Sequence, residues 1–66
     1  MNDYYVTFCY RNPRKRGWVR IQASSYDNAF KLASAKLFSN FRQIYEESDF
    51  VFKNYPDGEF DFWRSI

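Results

Sequence analysis

Aromatic side chains dominate this chain: sixteen of its 66 residues, or 24%, are Phe, Tyr or Trp. A domain of this length buries only about 60% of the surface that its unfolded form exposes, so its core is marginal unless the side chains are large. Each buried aromatic ring removes roughly 150–250 Å² from water. Charged residues make up 27% of the chain, which is not the composition of a disordered protein. We therefore expect one compact domain, residues 1–66.

Missing residue types exclude much chemistry. The chain has no His and a single cysteine, Cys9. Without His it lacks the usual general base and metal ligand, and one thiol cannot form an internal disulfide or a thiolate zinc site. We therefore expect that the protein is not an enzyme, that it has no catalytic or metal-binding residues, and that it binds no cofactor. A lone thiol and the absence of any ~18-residue apolar stretch fit a cytoplasmic protein that does not bind membranes.

The first third of the chain has the composition of a β-hairpin. Residues 4–10 are almost all β-branched or aromatic, and residues 18–23 alternate between apolar and other side chains. An Asn-Pro pair and a glycine between these runs are turn signals. The pattern predicts two antiparallel strands joined by a seven-residue basic loop, 11–17.

A helix is predicted to follow the hairpin. Ser25 is a good N-cap, and Asp27 places a negative charge in the first turn, where the helix dipole favours it. An apolar stripe at helical spacing follows, consisting of Tyr26, Ala29, Phe30, Ala33 and Leu37. Asn40 is expected to end the helix in a left-handed conformation.

The second half of the chain is less clear. Residues 41–47 fit either an extension of the helix or a strand. Residues 50–53 and 60–63 are predicted strands, joined through the Pro-Asp-Gly turn at 56–58. The predicted fold is α+β, an antiparallel sheet of four to five strands in ββαβββ order with one α-helix packed on one face.

The hairpin-to-helix segment resembles a known family. Its matching positions are Gly17, Ile21, Ala23, Ser25, Ala29, Leu32, Ala33 and Ser34, followed later by Tyr55, Asp57, Gly58 and Trp63. This run resembles the ninth-numbered type I-F anti-CRISPR proteins, phage proteins with one helix on an antiparallel sheet. The resemblance implies that 41–47 is a strand. It also implies a stoichiometric inhibitor that docks on the backbone subunit of an RNA-guided surveillance complex and blocks its pairing with target DNA. The acidic C-terminal half and the heavy aromatic load depart from the family.

Charge is distributed unevenly along the chain. Five of the ten basic residues lie within ten positions, namely Arg11, Arg14, Lys15, Arg16 and Arg20, whereas six of the eight acids lie beyond position 45. Such a basic cluster can contact phosphates or grip an acidic protein surface through bidentate arginines. The alternative is that both clusters are solvated edges that keep the chain soluble.

Strand periodicity assigns faces to the predicted sheet. We expect the helix to cover Val19, Ile21 and Ala23 together with the phenylalanines of the second hairpin, Phe50, Phe52, Phe60 and Phe62. The opposite face is expected to be open and to carry, with the basic loop, the partner-binding candidates Arg14, Lys15, Arg16, Trp18, Arg20, Tyr5, Lys53, Tyr55 and Trp63. Trp, Tyr and Arg dominate binding hot spots. The alternative is that the rings form stabilising cross-strand pairs.

Together with what the resemblance implies, these observations lead us to expect a non-enzymatic, phage-type inhibitor that binds a host nucleoprotein defence complex, a CRISPR surveillance complex, in the host cytoplasm. The alternative is a protein that binds nucleic acid directly through the basic hairpin. A third hypothesis is a small homodimer, because an aromatic sheet face also favours self-association.

Overall fold

The computed structural model describes residues 1–12, 14–54 and 62–64. Four strands and one helix make up its regular structure: β1 (Asn2–Arg11), β2 (Arg14–Ala23), α1 (Tyr26–Leu37), β3 (Phe41–Glu46) and β4 (Phe62–Arg64). Short 3₁₀ turns lie at Phe38–Asn40, Glu47–Asp49 and Phe52–Asn54. The α+β class predicted from the sequence is confirmed.

The predicted hairpin is present and is longer than expected. β1 and β2 pair antiparallel along their whole length, from Asn2 opposite Ala23 to Arg11 opposite Arg14. The prediction of a seven-residue loop at 11–17 is therefore wrong, because only positions 12 and 13 lie between the paired strands. Tyr10 packs against the core and holds its strand in place beyond the body of the sheet. Backbone pairing can thus continue through a run of charged side chains whose heads remain in water.

The helix begins where the sequence predicts. The Ser25 hydroxyl accepts a hydrogen bond of 3.3 Å from the backbone N–H of Asn28, which satisfies one of the free donors of the first turn. Ala29 and Ala33 are fully buried, so the helix lies close to the sheet. The left-handed stop predicted at Asn40 is wrong. Phe38 is the residue with positive φ, and its backbone N–H caps the helix by donating to the Ser34 carbonyl.

The sheet has the strand order β3-β1-β2-β4. β3 pairs antiparallel with β1, which resolves the ambiguous stretch in favour of the strand implied by the resemblance. A register shift between Thr7 and Phe8 marks a β-bulge on this pair. β4 pairs parallel with β2. The described sheet thus contains three antiparallel strands and one short parallel strand, and the predicted antiparallel ββαβββ order is not confirmed.

The second hairpin predicted from the sequence is wrong. Phe50 and Val51 have no regular structure, Phe52–Asn54 is a 3₁₀ turn, and β4 lies beside β2 rather than beside this segment. The Pro-Asp-Gly turn lies outside the described residues. Aromatic alternation at 50–52 suggested a strand, but alternate rings can be buried equally well by a segment that crosses a sheet face without pairing.

The main core lies between the helix and one face of the sheet, which we call the helix-side face. Its buried residues come from all the major elements, and they are Tyr4, Val6, Phe8, Val19, Ile21, Ala23, Ala29, Ala33, Leu37 and Ile44. The predicted burial of alternate β2 residues, Val19, Ile21 and Ala23, against the helix is confirmed.

Candidate interaction surface

The face of the sheet opposite the helix, here the far face, carries a second layer of packed rings. Phe50 stacks on Tyr5 with ring centroids 4.9 Å apart and planes within 4° of parallel. The same Phe50 ring contacts Trp18 on β2 and Tyr45 on β3, each at 5.6 Å. Phe52 adds edge-to-face contacts to Tyr5 and Trp18 at 5.1 Å. These five residues form the aromatic layer.

The aromatic layer changes the role expected for the far face. Phe50 and Phe52 were expected to face the helix, but they cover the opposite side of the sheet. Tyr5, predicted as a partner-binding residue on an open surface, is only 4% exposed. Trp18 is half-buried among the same rings. The centre of the far face is therefore packed, in line with the structural alternative for its aromatic residues.

Polar contacts at the neighbouring position hold β3 in register. The Thr7 hydroxyl, also on the far face, donates to the Gln43 carbonyl at 3.3 Å and accepts from the Gln43 backbone N–H at 3.2 Å. Both bonds lie next to the bulge, where the ladder between β1 and β3 is interrupted. The Thr7 side chain thus supplies hydrogen bonds to the Gln43 backbone at the point where the backbone ladder is interrupted.

Beyond the bulge, the hairpin continues as a two-stranded ribbon. β3 pairs with β1 only as far as Phe8, and β4 pairs with β2 only at residues 20–22. Residues 9–11 and 14–16 therefore pair only with each other among the described strands, and we call them the basic ribbon. Its four charged side chains, Arg11, Arg14, Lys15 and Arg16, are all exposed.

Strand alternation places most of the arginines on one face of the ribbon. Arg14, Arg16 and Arg20 occupy alternate positions of β2, on the same face as Trp18, and Arg11 lies directly opposite Arg14. Alternate residues of a strand are about 6.7 Å apart, so these arginines lie in one row along the strand, which Trp18 interrupts between Arg16 and Arg20. Lys15 lies on the other face, opposite Tyr10. Arg14, Lys15 and Arg16 thus occupy an exposed surface, while Arg20 is half-buried.

The remaining sequence candidates lie elsewhere. Lys53 is exposed on the 3₁₀ turn that follows the aromatic layer. Trp63 belongs to β4 and pairs with Ile21, and Tyr55 lies outside the described residues. The structure therefore brings Arg14, Lys15 and Arg16 together with Arg11. Sequence reasoning had counted Arg11 in the basic cluster without naming it as a candidate.

Three of the five acidic residues that the structure describes lie at the opposite end of the sheet. Glu46 pairs with Tyr4, next to Asp3, and Glu47 follows in the second 3₁₀ turn. Together they line an open groove of about 540 Å³. Eight residues separate Asp3 from Arg11, which corresponds to about 27 Å along an extended strand. These described carboxylates are therefore far from the ribbon, and an anionic partner is attracted to the ribbon and repelled from the groove.

Phe38 is an exposed feature that sequence reasoning missed. Its side chain is 76% exposed and its backbone has φ 53°. The helical stripe assigned its neighbours to the core but gave no signal for a positive φ at a phenylalanine, because glycine and asparagine are the residues expected there.

Comparisons with protein-family models, with curated proteins and with solved structures found no match for this chain. In the part of the chain that the structure describes, no group of His, Cys, Asp and Glu side chains is arranged to hold a metal ion. Among those same residues, none of the helices has the length and apolar character needed to cross a membrane.

Proposed function

We propose that this protein is a non-enzymatic inhibitor that docks on a host nucleoprotein defence complex, of the RNA-guided CRISPR surveillance class, and blocks its engagement of target DNA. The observation that carries the proposal is the basic ribbon. It extends beyond the three-stranded body of the sheet and presents four exposed cationic side chains at one end of the molecule. A projecting ribbon of this kind can enter a recess on an anionic partner while the sheet and helix stay outside the recess.

The ribbon concentrates like charges in a way that the fold alone does not require. Arg11 and Arg14 are directly opposite each other, and like charges at opposed strand positions are destabilising. Binding an anionic surface would relieve this repulsion. Arginine pairs with phosphate or carboxylate through two parallel hydrogen bonds, which also fixes orientation. The charges therefore favour a partner rich in phosphates or carboxylates.

The resemblance supports the choice of partner class. Its matching positions form the hairpin-to-helix unit: Gly17 is buried at the base of the ribbon, Ser25 caps the helix, and Ala29 and Ala33 allow close packing. It also implied a strand at 41–47, where β3 now lies. In this proposal the sheet and helix form a rigid scaffold, and the ribbon is the element that docks.

A second candidate function is direct binding of nucleic acid, and the row of arginines favours it. Guanidinium groups on alternate strand positions can follow a phosphate backbone. Trp18 contributes little base stacking, because Phe50 and Phe52 already contact its ring. This candidate therefore predicts binding through phosphates, with little sequence preference and a steep dependence on salt.

The test compares two ribbon variants against the guide-loaded type I-F surveillance complex and against free oligonucleotide. In one, Arg14, Lys15 and Arg16 are all changed to Ala. In the matched control, Arg14→Lys and Arg16→Lys keep the charge and remove the bidentate geometry. Circular dichroism checks that each variant is folded.

For the inhibitor, we expect tight binding to the complex, loss of target-DNA binding in its presence, and at least tenfold weaker binding by the triple variant. The Lys control should retain the association rate and dissociate faster. Tight binding to free oligonucleotide, with a log-log salt slope that falls by about two to three in the triple variant, would instead favour the second candidate. Unchanged affinity of the triple variant for every probe would exclude the ribbon as the binding surface.

A further inference from the structure

Phe38 combines two unfavourable features that the fold does not explain. Its backbone, at φ 53° and ψ −129°, occupies a region in which glycine is the favoured residue. Non-glycine residues persist in such regions only when the surrounding structure holds them there. Its ring is 76% exposed, so burial of the side chain does not offset the strain. A phenylalanine that is both strained and exposed suggests a role outside the fold itself.

Hydrogen bonds keep the turn at Phe38 in this conformation. The backbone N–H of Phe38 donates to the Ser34 carbonyl at the end of the helix. Arg42, the second residue of β3, donates hydrogen bonds from Nη1 to the carbonyls of Ser39 and Phe41, at 3.0 and 3.2 Å. These bonds fix both ends of the turn, so the ring is presented on a well-defined backbone.

Two further rings lie close to Phe38 in the chain and contact each other. Phe30, which is 47% exposed, contacts the ring of Phe41 at 5.3 Å, and Phe41 follows the turn that carries Phe38. We call these three residues the Phe38 patch. Four exposed charged residues lie within four positions of these rings: Lys31, Lys36 and Arg42 are basic, and Asp27, one helical turn before Phe30, is acidic. Two such patches facing each other in a symmetric dimer would bring like charges together, whereas an acidic surface complements them.

The patch also lies at the same end of the molecule as the basic ribbon. Phe41 pairs with Phe8, and the ribbon begins at the next residue of β1. The turn that carries Phe38 also contacts β1, and Lys15 extends from the ribbon on the side of the sheet that the helix covers. A partner that reaches the ribbon on this side can therefore contact Phe38 as well.

We infer that Phe38 is the apolar anchor of the interface, and that it inserts into an apolar recess on an acidic protein surface. This inference rests on the proposed function and deepens it, because it assigns one contact to the protein component of the nucleoprotein complex rather than to its RNA. An aromatic anchor in a recess, surrounded by charges that guide the approach, is the usual arrangement of a binding hot spot.

The experiment measures stability and affinity in the same variants. Phe38→Gly and Phe38→Asn both accept a positive φ and both remove the ring. Val51→Ala is the matched control, because Val51 is an exposed apolar residue beside the aromatic layer, away from the patch. The probes are the guide-loaded type I-F complex, the free guide RNA, and vesicles containing phosphatidylserine. Gel filtration of the protein alone reports self-association.

We expect Phe38→Gly to unfold at the same or a higher denaturant concentration than the wild type and to bind the complex at least 30-fold more weakly. Binding to free guide RNA should not change. If the triple ribbon variant loses affinity for the complex and the Phe38 variants do not, this inference is wrong while the proposed function stands. Ring-dependent binding to vesicles, or ring-dependent dimerisation, would replace the protein partner with a membrane or a second copy. If the wild type does not bind the complex, the proposed function fails first.

Discussion

Replacing Phe50 with alanine tests whether the aromatic layer is a second core or an available surface. Phe50 is 6% exposed and, among the residues that the structure describes, its ring contacts those of Tyr5, Trp18, Tyr45 and Phe52 at centroid distances between 4.9 and 5.6 Å. Removing a buried phenylalanine costs about 3–5 kcal/mol. We expect the lower part of that range, about 3 kcal/mol, because the segment around Phe50 lacks regular structure and can partly collapse into the space.

That loss is large relative to the stability of a domain of this size. At roughly 0.05–0.15 kcal/mol per residue, a chain of 66 residues has a free energy of unfolding of about 3–10 kcal/mol. For so small a domain, each kcal/mol corresponds to about 4–8 °C in Tm. Phe50→Ala should therefore lower Tm by about 12–24 °C, and at the low end of the stability range about half of the protein would be unfolded at 25 °C.

Thermal and urea unfolding, followed by far-UV circular dichroism, provide the measurement. Trp18 fluorescence reports on the layer directly, because its ring contacts both Phe50 and Phe52. Phe50→Leu, which keeps most of the apolar volume, should recover more than half of the loss. Val51→Ala serves as the neighbouring exposed control and should change stability by about 0.5 kcal/mol or less. A Phe50→Ala protein as stable as that control would show that the far face is not a core.

Three further substitutions test other parts of the fold. Ala33→Leu should destabilise by about 1–3 kcal/mol, seen as a lower urea midpoint, because a fully buried alanine at the helix–sheet contact has no room for a larger side chain. Ser25→Ala should cost about 1 kcal/mol by the same measurement, whereas Ser25→Asp should cost little, since both Ser and Asp can cap Asn28. Thr7→Val should cost about 1 kcal/mol and speed amide exchange at Gln43, whose backbone it bonds. Amide exchange unchanged at Gln43 would argue against those two bonds.

The first half of the fold could be predicted because its signals are local. Alternation in residues 18–23, a capping serine at Ser25 and small residues at helical spacing each specify a structure within a few positions. All three agree with the structure, as does burial of Val19, Ile21 and Ala23 under the helix. The length of the loop could not be predicted in this way, because Tyr10 extends the ribbon by packing against the core rather than through any property of the charged residues beside it.

The second half could not be predicted because its structure depends on distant partners. Alternating rings at 50–52 fit a strand by local pattern, yet none of the described strands pairs with this segment. Phe50 packs on Tyr45, Tyr5 and Trp18, which lie 5, 45 and 32 positions earlier in the chain and on three different strands. Those side chains share a face only after β3 has paired with β1. The position of residues 50–52 across the sheet is therefore determined by tertiary contacts and not by the local sequence pattern.

The same dependence determines which aromatic residues remain available for binding. By composition alone, any of the sixteen aromatic residues could anchor a partner, and strand alternation assigned Tyr5 and Trp18 to the far face as binding candidates. Once Phe50 and Phe52 cover that face, Tyr5 contributes to the stability of the fold, and the exposed cations of the ribbon become the distinctive surface. Phe38 differs from the packed rings because its side chain is exposed and its backbone is strained, with no burial of the ring to offset that strain. In a small domain, aromatic rings that pack in the core are not available for binding. An exposed ring on a strained backbone is therefore more informative about the partner than a packed ring.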